Sequence, residues 1–302
     1  ARAVTTKWGG DVTLQAFGSC ICGVALSHSD VDLNLQVPPW RAEGKKWLTI
    51  MSETAALIAE ISPGADIEVI TGAKVPVIKA VTAESGLHLD IVLNAPNGVS
   101  VTHGVRDFLA LDSRAAPLVV LLKHWAQGVD LNSSRDHTLS SHALTCLMIA
   151  YLQRLDPPVL PPVPWRTPDG QLRVHDAAKG FRPGANKALT ASLFGGFFGF
   201  YTHKFSLRTL VVDLRDVEKR RRKHNDGWKT AAKRIAIEDP FDPDPWADPC
   251  RSNNQPMMEL ILARFEEAAA IIADSKQQAR DGGTPAGSWV AAVFEMGPNE
   301  PG

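Results

Sequence analysis

No run of eighteen consecutive apolar residues occurs in the 302-residue chain, so the sequence offers no bilayer-spanning helix. An excess of one charge is also missing. Lys and Arg number 32 against 33 Asp and Glu, a formal net charge of −1. The chain is therefore not a broadly basic nucleic-acid binder, and any contact with a polyanion must come from a local patch. Cysteine is scarce. Cys20, Cys22, Cys146 and Cys250 form no C-x-x-C pair, and no His pair stands at zinc spacing. That argues against a zinc ribbon and for reduced thiols in a reducing compartment. Internal repeats and low-complexity segments are lacking too. The chain opens on Ala-Arg-Ala without a Met, so any targeting segment lies outside what these residues report.

What is present is globular: 44% hydrophobic and 22% charged residues, with length enough for two domains. Residues 12–17 (VTLQAF) and 31–37 (VDLNLQV) alternate as strands, and Gly18-Ser19 turns between them. Residues 47–61 have helical spacing without Pro or Gly, and Pro63-Gly64 stops that helix. Short apolar runs at 67–70 and 75–79 read as strands, and 87–93 (LHLDIVL) as a further one, ended by Asn94-Ala-Pro-Asn-Gly. The first hundred residues thus predict a small domain with a mixed sheet. Later segments are helix-periodic at 114–128, 141–154 and 257–276, with an apolar, glycine-weakened helix at 189–205 and a short strand at 210–214. Residues 157–168 and 239–249 are proline-punctuated loops. The expected fold is α+β, with a mixed-sheet domain over 1–103 and a mainly helical domain over 104–302.

The most informative stretch is FGSCICGVALSHSDVDL, residues 17–33. Asp30 and Asp32 stand two apart, and side chains two apart on a strand share a face. Two carboxylates on one face repel unless a positive charge sits between them. Mg²⁺ suits that place, because it favours carboxylate and phosphate oxygens. Asp90, flanked by Leu89 and Ile91, is a third acid in a separate strand. Three converging acids are enough for two metals. Such a pair lowers the pKa of an attacking hydroxyl and neutralises a phosphate leaving group. Gly18 lets a backbone approach phosphate closely, and Ser19 donates to its oxygens. Gly-Ser alone is no signal, and Asp-x-Asp alone is usually a solvated strand face. Their order and spacing, with the third Asp, carry the weight.

The pieces GS…SDVDL…LDIVL resemble the DNA polymerase β nucleotidyltransferase superfamily. AKVPVIK (73–79) resembles the strand before the third Asp in terminal uridylyltransferases and template-independent poly(A) polymerases. LLKHWAQGVDLN (121–132), TLSSHALTCLMIAYLQ (138–153), PPVLP (157–161), LTASLFGGFFGFYTHKF (189–205) and IEDPFD (237–242) resemble the poly(A)-polymerase-associated domain, in family order. The overall likeness is to small two-domain uridylyltransferases associated with mitochondrial RNA editing. The resemblance implies an active site in a cleft between the domains. It implies Asp30, Asp32 and Asp90 as catalytic and metal ligands for two Mg²⁺, with Mn²⁺ as the alternative ion. Gly18, Ser19, Lys123 and Ser141 would meet the triphosphate, and His142, Asp239 and Asp242 the base. Asp239 and Asp242 suit uracil, whose N3–H is a donor to an acceptor-only carboxylate. The implied partners are UTP, a single-stranded RNA 3′ end and a larger RNA-processing complex, with no membrane. The implied compartment is mitochondrial, otherwise cytoplasmic.

Three positions depart from the family pattern. Gln127 stands where a second lysine is usual, and His142 where a stacking Tyr is usual. Near Thr102, His103 and Gly104 the Asn-Ser pair that grips the sugar or base is replaced. The expected reaction is UMP transfer from UTP to an RNA 3′-hydroxyl with release of pyrophosphate. Adenylyl transfer on the same scaffold and a catalytically weak RNA- or protein-binding subunit are the alternatives. The run Lys219-Arg-Arg-Arg-Lys223 reads either as an RNA-backbone contact or as a solvated loop. Trp125, Trp165, Trp228 and Trp246 read as core or domain-contact residues.

Overall fold

Alternating side chains build the strands of the first half, and helical periodicity builds most of the second. The computed structural model describes residues 2–44, 46–72, 75–167, 170–224, 228–244, 246–281 and 288–298. The chain falls into two compact units, Ala1–Asp107 and Phe108–Gly302. Among the described residues, the first unit holds a five-stranded mixed sheet of β1 (Thr13–Phe17), β2 (Val31–Gln36), β3 (Asp66–Ile70), β4 (Val77–Val81) and β5 (His88–Leu93). The order is β1-β2-β5-β4-β3. Only β2 and β5 pair in parallel; the other neighbours are antiparallel.

The helices of this unit are α1 (Arg2–Trp8), α2 (Ser19–Cys22), α3 (Pro39–Ala42), α4 (Lys46–Ile61) and α5 (Pro96–Leu109), the last two residues of α5 being counted with the second unit. Val4 and Trp8 of α1 and Ile50 and Met51 of α4 bury against Leu35, Ile78 and Ile91 of the sheet. The helix α5 runs where the sequence reads a turn. Asn94 makes that turn at φ 50, and Pro96 then opens a helix, since proline is pre-shaped for a first helical position. Ala73 and Lys74 of the AKVPVIK segment lie outside the described residues, as do Pro168 and Pro245 of the two proline-rich loops.

The second unit contains α6 (Ala115–Gly128), α7 (Ser141–Gln153), α8 (Val174–Ala177), α9 (Thr190–His203), α10 (Gln255–Arg280) and α11 (Trp289–Phe294). A short parallel pair joins β6 (Val212–Asp213) and β7 (Ile237–Glu238). The core is aromatic. Trp125 meets Phe198 edge-on at 4.7 Å, and Phe197 meets Phe265 at 5.4 Å. The glycines inside α9 follow from this packing. A Cβ on Gly196 would stand 2.3 Å from the Tyr151 hydroxyl, and one on Gly195 3.0 Å from Trp289. Close approach, not helix breaking, accounts for them. No described helix is long and apolar enough to cross a membrane.

Candidate active site

Asp32 is the second residue of β2 and stands in register with Asp90 on β5. Residues opposite one another in paired strands share a sheet face. Phe17 is Asp32's neighbour on β1, Lys79 faces Asp90 from β4, and Glu68 faces Lys79 from β3. One row across the sheet therefore reads Phe17, Asp32, Asp90, Lys79, Glu68. Lys79 Nζ donates to both Asp90 oxygens, at 2.7 and 2.9 Å. Lys79 thus supplies part of the counter-charge that the spacing of the acids assigns to a metal. Asp30 immediately precedes β2, with its Oδ1 3.9 Å from His88 Nδ1. Asp30, Lys79, His88 and Asp90 line one pocket of about 190 Å³.

The Gly18-Ser19 turn abuts the same row. Gly18 sits at φ 75, ψ −157, a region that is essentially glycine's alone. A Cβ there would lie 2.0 Å from Asp32 Oδ2, so the turn and the carboxylate are in direct contact. The Gly18 amide donates to Thr102 Oγ1 at 2.9 Å, and that hydroxyl donates to the Gly98 carbonyl at 2.7 Å. Thr102, 3% exposed on α5, thus fixes the turn. In the sequence Thr102 stands out only as one of the positions where the family's sugar- or base-gripping Asn-Ser pair is replaced. Ser19 opens the four-residue α2 directly after Gly18.

The remaining predicted site residues lie in the second unit. Lys123 is almost wholly buried on α6. Ser141 is the first residue of α7, but Ser140 is its N-cap, accepting the Ala143 amide at 3.0 Å. Ser141 instead donates to Asn132 Oδ1 at 3.3 Å. Asp242 accepts the Asp244 amide at 2.9 Å and is partly exposed.

His142 Nε2 stands 2.6 Å from Asp239 Oδ2, and the second oxygen of Asp239 accepts the Phe241 amide at 2.9 Å. Burial pushes the His142 imidazole down, but Cys146 and the Asp239 carboxylate outweigh it, so its pKa is raised well above the usual histidine value. Burial pushes Asp239 up, and His142 together with backbone amides more than reverses this, leaving it below the usual carboxylate range. The Cys146 thiol lies 3.8 Å from His142 Nε2, and burial raises its pKa. Donor atoms of His142, Cys146 and Asp239 all lie within 4.8 Å of one another. The four-residue spacing of His142 and Cys146 was the one signal in sequence; Asp239 stands 97 residues from His142.

The basic run 219–223 divides. Arg221 bridges Asp213 and Glu238, and Lys223 is buried with its ammonium on the carbonyls of Leu207 and Arg234. Lys219, Arg220 and Arg222 are exposed. The tryptophans divide as well. Trp125 and Trp228 are core, whereas Trp165 is 71% exposed beneath Arg215 and Trp246 is 66% exposed.

A sheet carrying paired acids beside a Gly-Ser turn, followed by a helical unit, defines the nucleotidyltransferase class. Residues 2–108 match the family model "Poly(A) RNA polymerase, mitochondrial-like, central palm domain", and residues 190–245 match "Cid1 family poly A polymerase". The terminal uridylyltransferase cid1 of Schizosaccharomyces pombe is 30% identical over 77% of this chain and 62% of its own length. The poly(A) RNA polymerase GLD2 of Mus musculus is 29% identical over 74% of this chain and 49% of its own length. This chain therefore spans about half to three-fifths of those relatives. A solved structure described as a cytoplasmic RNA terminal U-transferase superposes with a TM-score of 0.80 at 28% identity, covering 99% of this chain and 90% of that one. The chain belongs to the nucleotidyltransferase family of terminal uridylyltransferases and template-independent poly(A) polymerases.

Proposed function

We propose that the protein is a template-independent nucleotidyltransferase that adds UMP from UTP to RNA 3′ ends. The observation that carries this reading is the register of Asp32 with Asp90 on parallel strands, with the Gly18 turn pressed against Asp32. In this proposal the first unit is catalytic and the second recognises the nucleotide. The acids fit Mg²⁺ by their chemistry: Asp30, Asp32 and Asp90 offer only oxygen donors. Two ions held by Asp30, Asp32 and Asp90 would supply Lewis-acid activation of the RNA 3′-hydroxyl and neutralise the leaving pyrophosphate. The chain's own residues do the rest. Thr102 holds the Gly18 amide and so sets the turn from which Ser19 can donate to a phosphate oxygen. Lys123 adds a point charge suited to the triphosphate. Asp242 offers the uracil N3–H an acceptor.

Adenylyl transfer is the second reading, and one observation favours it. Both oxygens of Asp239 are already engaged, by His142 and by the Phe241 amide, which leaves less of the acidic pair to read uracil. The deciding experiment extends a 5′-labelled single-stranded RNA with Mg²⁺ and each nucleoside triphosphate in turn. Extension by UTP alone supports the proposal. Extension by ATP alone keeps the mechanism and overturns the base assignment. Silence with all four moves the reading to a partner-dependent subunit. The mitochondrial compartment is part of the same proposal, tested by imaging the tagged full-length protein.

A further inference from the structure

We propose that His142, Cys146 and Asp239 form a site for one borderline-soft divalent cation, Zn²⁺ above all, separate from the carboxylates of the first unit. His142 and Cys146 stand one turn apart on α7, so their side chains leave the same helix face. Asp239 reaches them from the segment after β7. His142 Nε2 is 2.6 Å from Asp239 Oδ2 and 3.8 Å from Cys146 Sγ. With Zn–N and Zn–O near 2.0–2.2 Å and Zn–S near 2.3 Å, ligand atoms in a tetrahedral site stand roughly 3.3–3.6 Å apart. The nitrogen and sulfur already have nearly that separation. The carboxylate oxygen, within 4.8 Å of the sulfur, must withdraw from the imidazole by under about 1 Å, and the ion displaces two protons to solvent, one from the imidazole and one from the Cys146 thiol.

The donor set selects the metal. One nitrogen, one sulfur and one oxygen suit Zn²⁺ and not Mg²⁺, which takes oxygen ligands and keeps its waters. The ligands are also held by their neighbours, as working metal ligands are. The Phe241 amide fixes the far oxygen of Asp239 at 2.9 Å, which turns Oδ2 toward His142. Ser140 caps α7 and donates to the Pro249 carbonyl at 3.2 Å, tying the start of this helix to the loop after β7. Cys146 and Asp239 are buried, whereas 30% of the His142 side chain is open, so the imidazole side is the path of entry. Three protein ligands leave a fourth position for water or a further donor.

The test uses the full chain, reduced and stripped of metal, carrying Cys20→Ser and Cys22→Ser so that the two more exposed thiols contribute nothing. Titration with Co²⁺ should give a thiolate-to-cobalt charge-transfer band that saturates at one equivalent and is bleached by one equivalent of Zn²⁺. Cys146→Ser should abolish the band, and His142→Gln should weaken Co²⁺ binding by about tenfold or more. No band in the parent at one equivalent overturns the site without need of any buried variant. A band that survives Cys146→Ser overturns it equally. The functional consequence rests on the proposed base contact of His142 and Asp239. Zn²⁺ should slow RNA extension by the parent and leave Cys146→Ser unaffected. Equal inhibition of both places the inhibitory ion elsewhere and overturns that consequence, while the cobalt spectrum judges the metal site by itself.

Discussion

Gly18→Ala tests the central geometry with a single methyl group. Two costs arise from one atom. The first is conformational: a non-glycine residue at φ 75, ψ −157 is strained by about 1–3 kcal/mol. The second is steric. The new Cβ would stand 2.0 Å from Asp32 Oδ2, and real contacts begin at 3.0 Å, so the carboxylate must retreat by about 1 Å. A misplacement of about 1 Å in a catalytic group costs on the order of 100-fold in rate, or ~2.7 kcal/mol of transition-state stabilisation. The assay is single-nucleotide extension of labelled RNA at saturating Mg²⁺ and triphosphate, with a urea melt alongside. The expected result is a 100-fold fall in turnover with a stability loss of about 1–3 kcal/mol. Turnover within threefold of the parent would refute the reasoning, because Asp32 could then move by an ångström without consequence.

Asp30→Ala and Asp32→Ala should each abolish extension while leaving the apo melting temperature unchanged or raised, since each removes a like charge; near-full turnover in either sinks the two-metal assignment. Lys79→Met should strengthen Mg²⁺ binding to the apo protein by up to about fivefold in calorimetry, because the half-exposed ion pair that competes for Asp90 is worth about 1 kcal/mol at most; weaker binding would make Lys79 a support of the metal site. Gly196→Ala should cost about 1–3 kcal/mol in a urea melt, because the Tyr151 hydroxyl at 2.3 Å lies in a packed core; a neutral result would mean that Tyr151 yields freely. The His142–Asp239 pair should stabilise the fold most between pH 3.8 and 6.5. The raised histidine contribution is fully present below 6.5 and lost as pH rises through its folded value, and the lowered aspartate contribution is lost as pH falls below 3.8. A stability profile unchanged by His142→Gln would dismiss the pair.

Strands β2 and β5 were legible because their apolar and polar residues alternate, and α4, α6, α7 and α10 because their periodicity is uninterrupted. The helix α9 was legible despite its glycines, because Phe194, Phe197, Phe198 and Tyr201 still return at helical spacing. Other features were hidden for physical reasons. Pro96 and Gly98 read as turn residues, yet one pre-shapes a helix start and the other makes room for the Phe17 ring at 3.0 Å. The pairing of Asp32 with Asp90 depends on a parallel register, which no local pattern encodes. Lys79 was hidden for a different reason: it faces Asp90 across the antiparallel β4–β5 pair, whose register the alternation within each strand does not fix. The basic run 219–223 read as one charge patch, but Asp213, Glu238 and two carbonyls draw Arg221 and Lys223 inward.

The charge row also changes what the acids imply. Like charges directly opposite on neighbouring strands destabilise a sheet. Were Asp32 and Asp90 without compensation, the need for a cation would follow from the fold alone. With Lys79 on both oxygens of Asp90 and Glu68 beyond it, the row alternates in sign from Asp90 outward, and the sheet has an internal answer to that repulsion. Placement, rather than charge repulsion, is what favours a metal at these acids. Asp32 stands where the Gly18 turn leaves no space for even a methyl group, and Asp30 with Asp90 lines a pocket. A sheet built for stability alone would have no use for a glycine-only turn pressed against a carboxylate, whereas the proposed site, which would bring phosphate oxygens to metal-bound acids, requires the backbone to come this close.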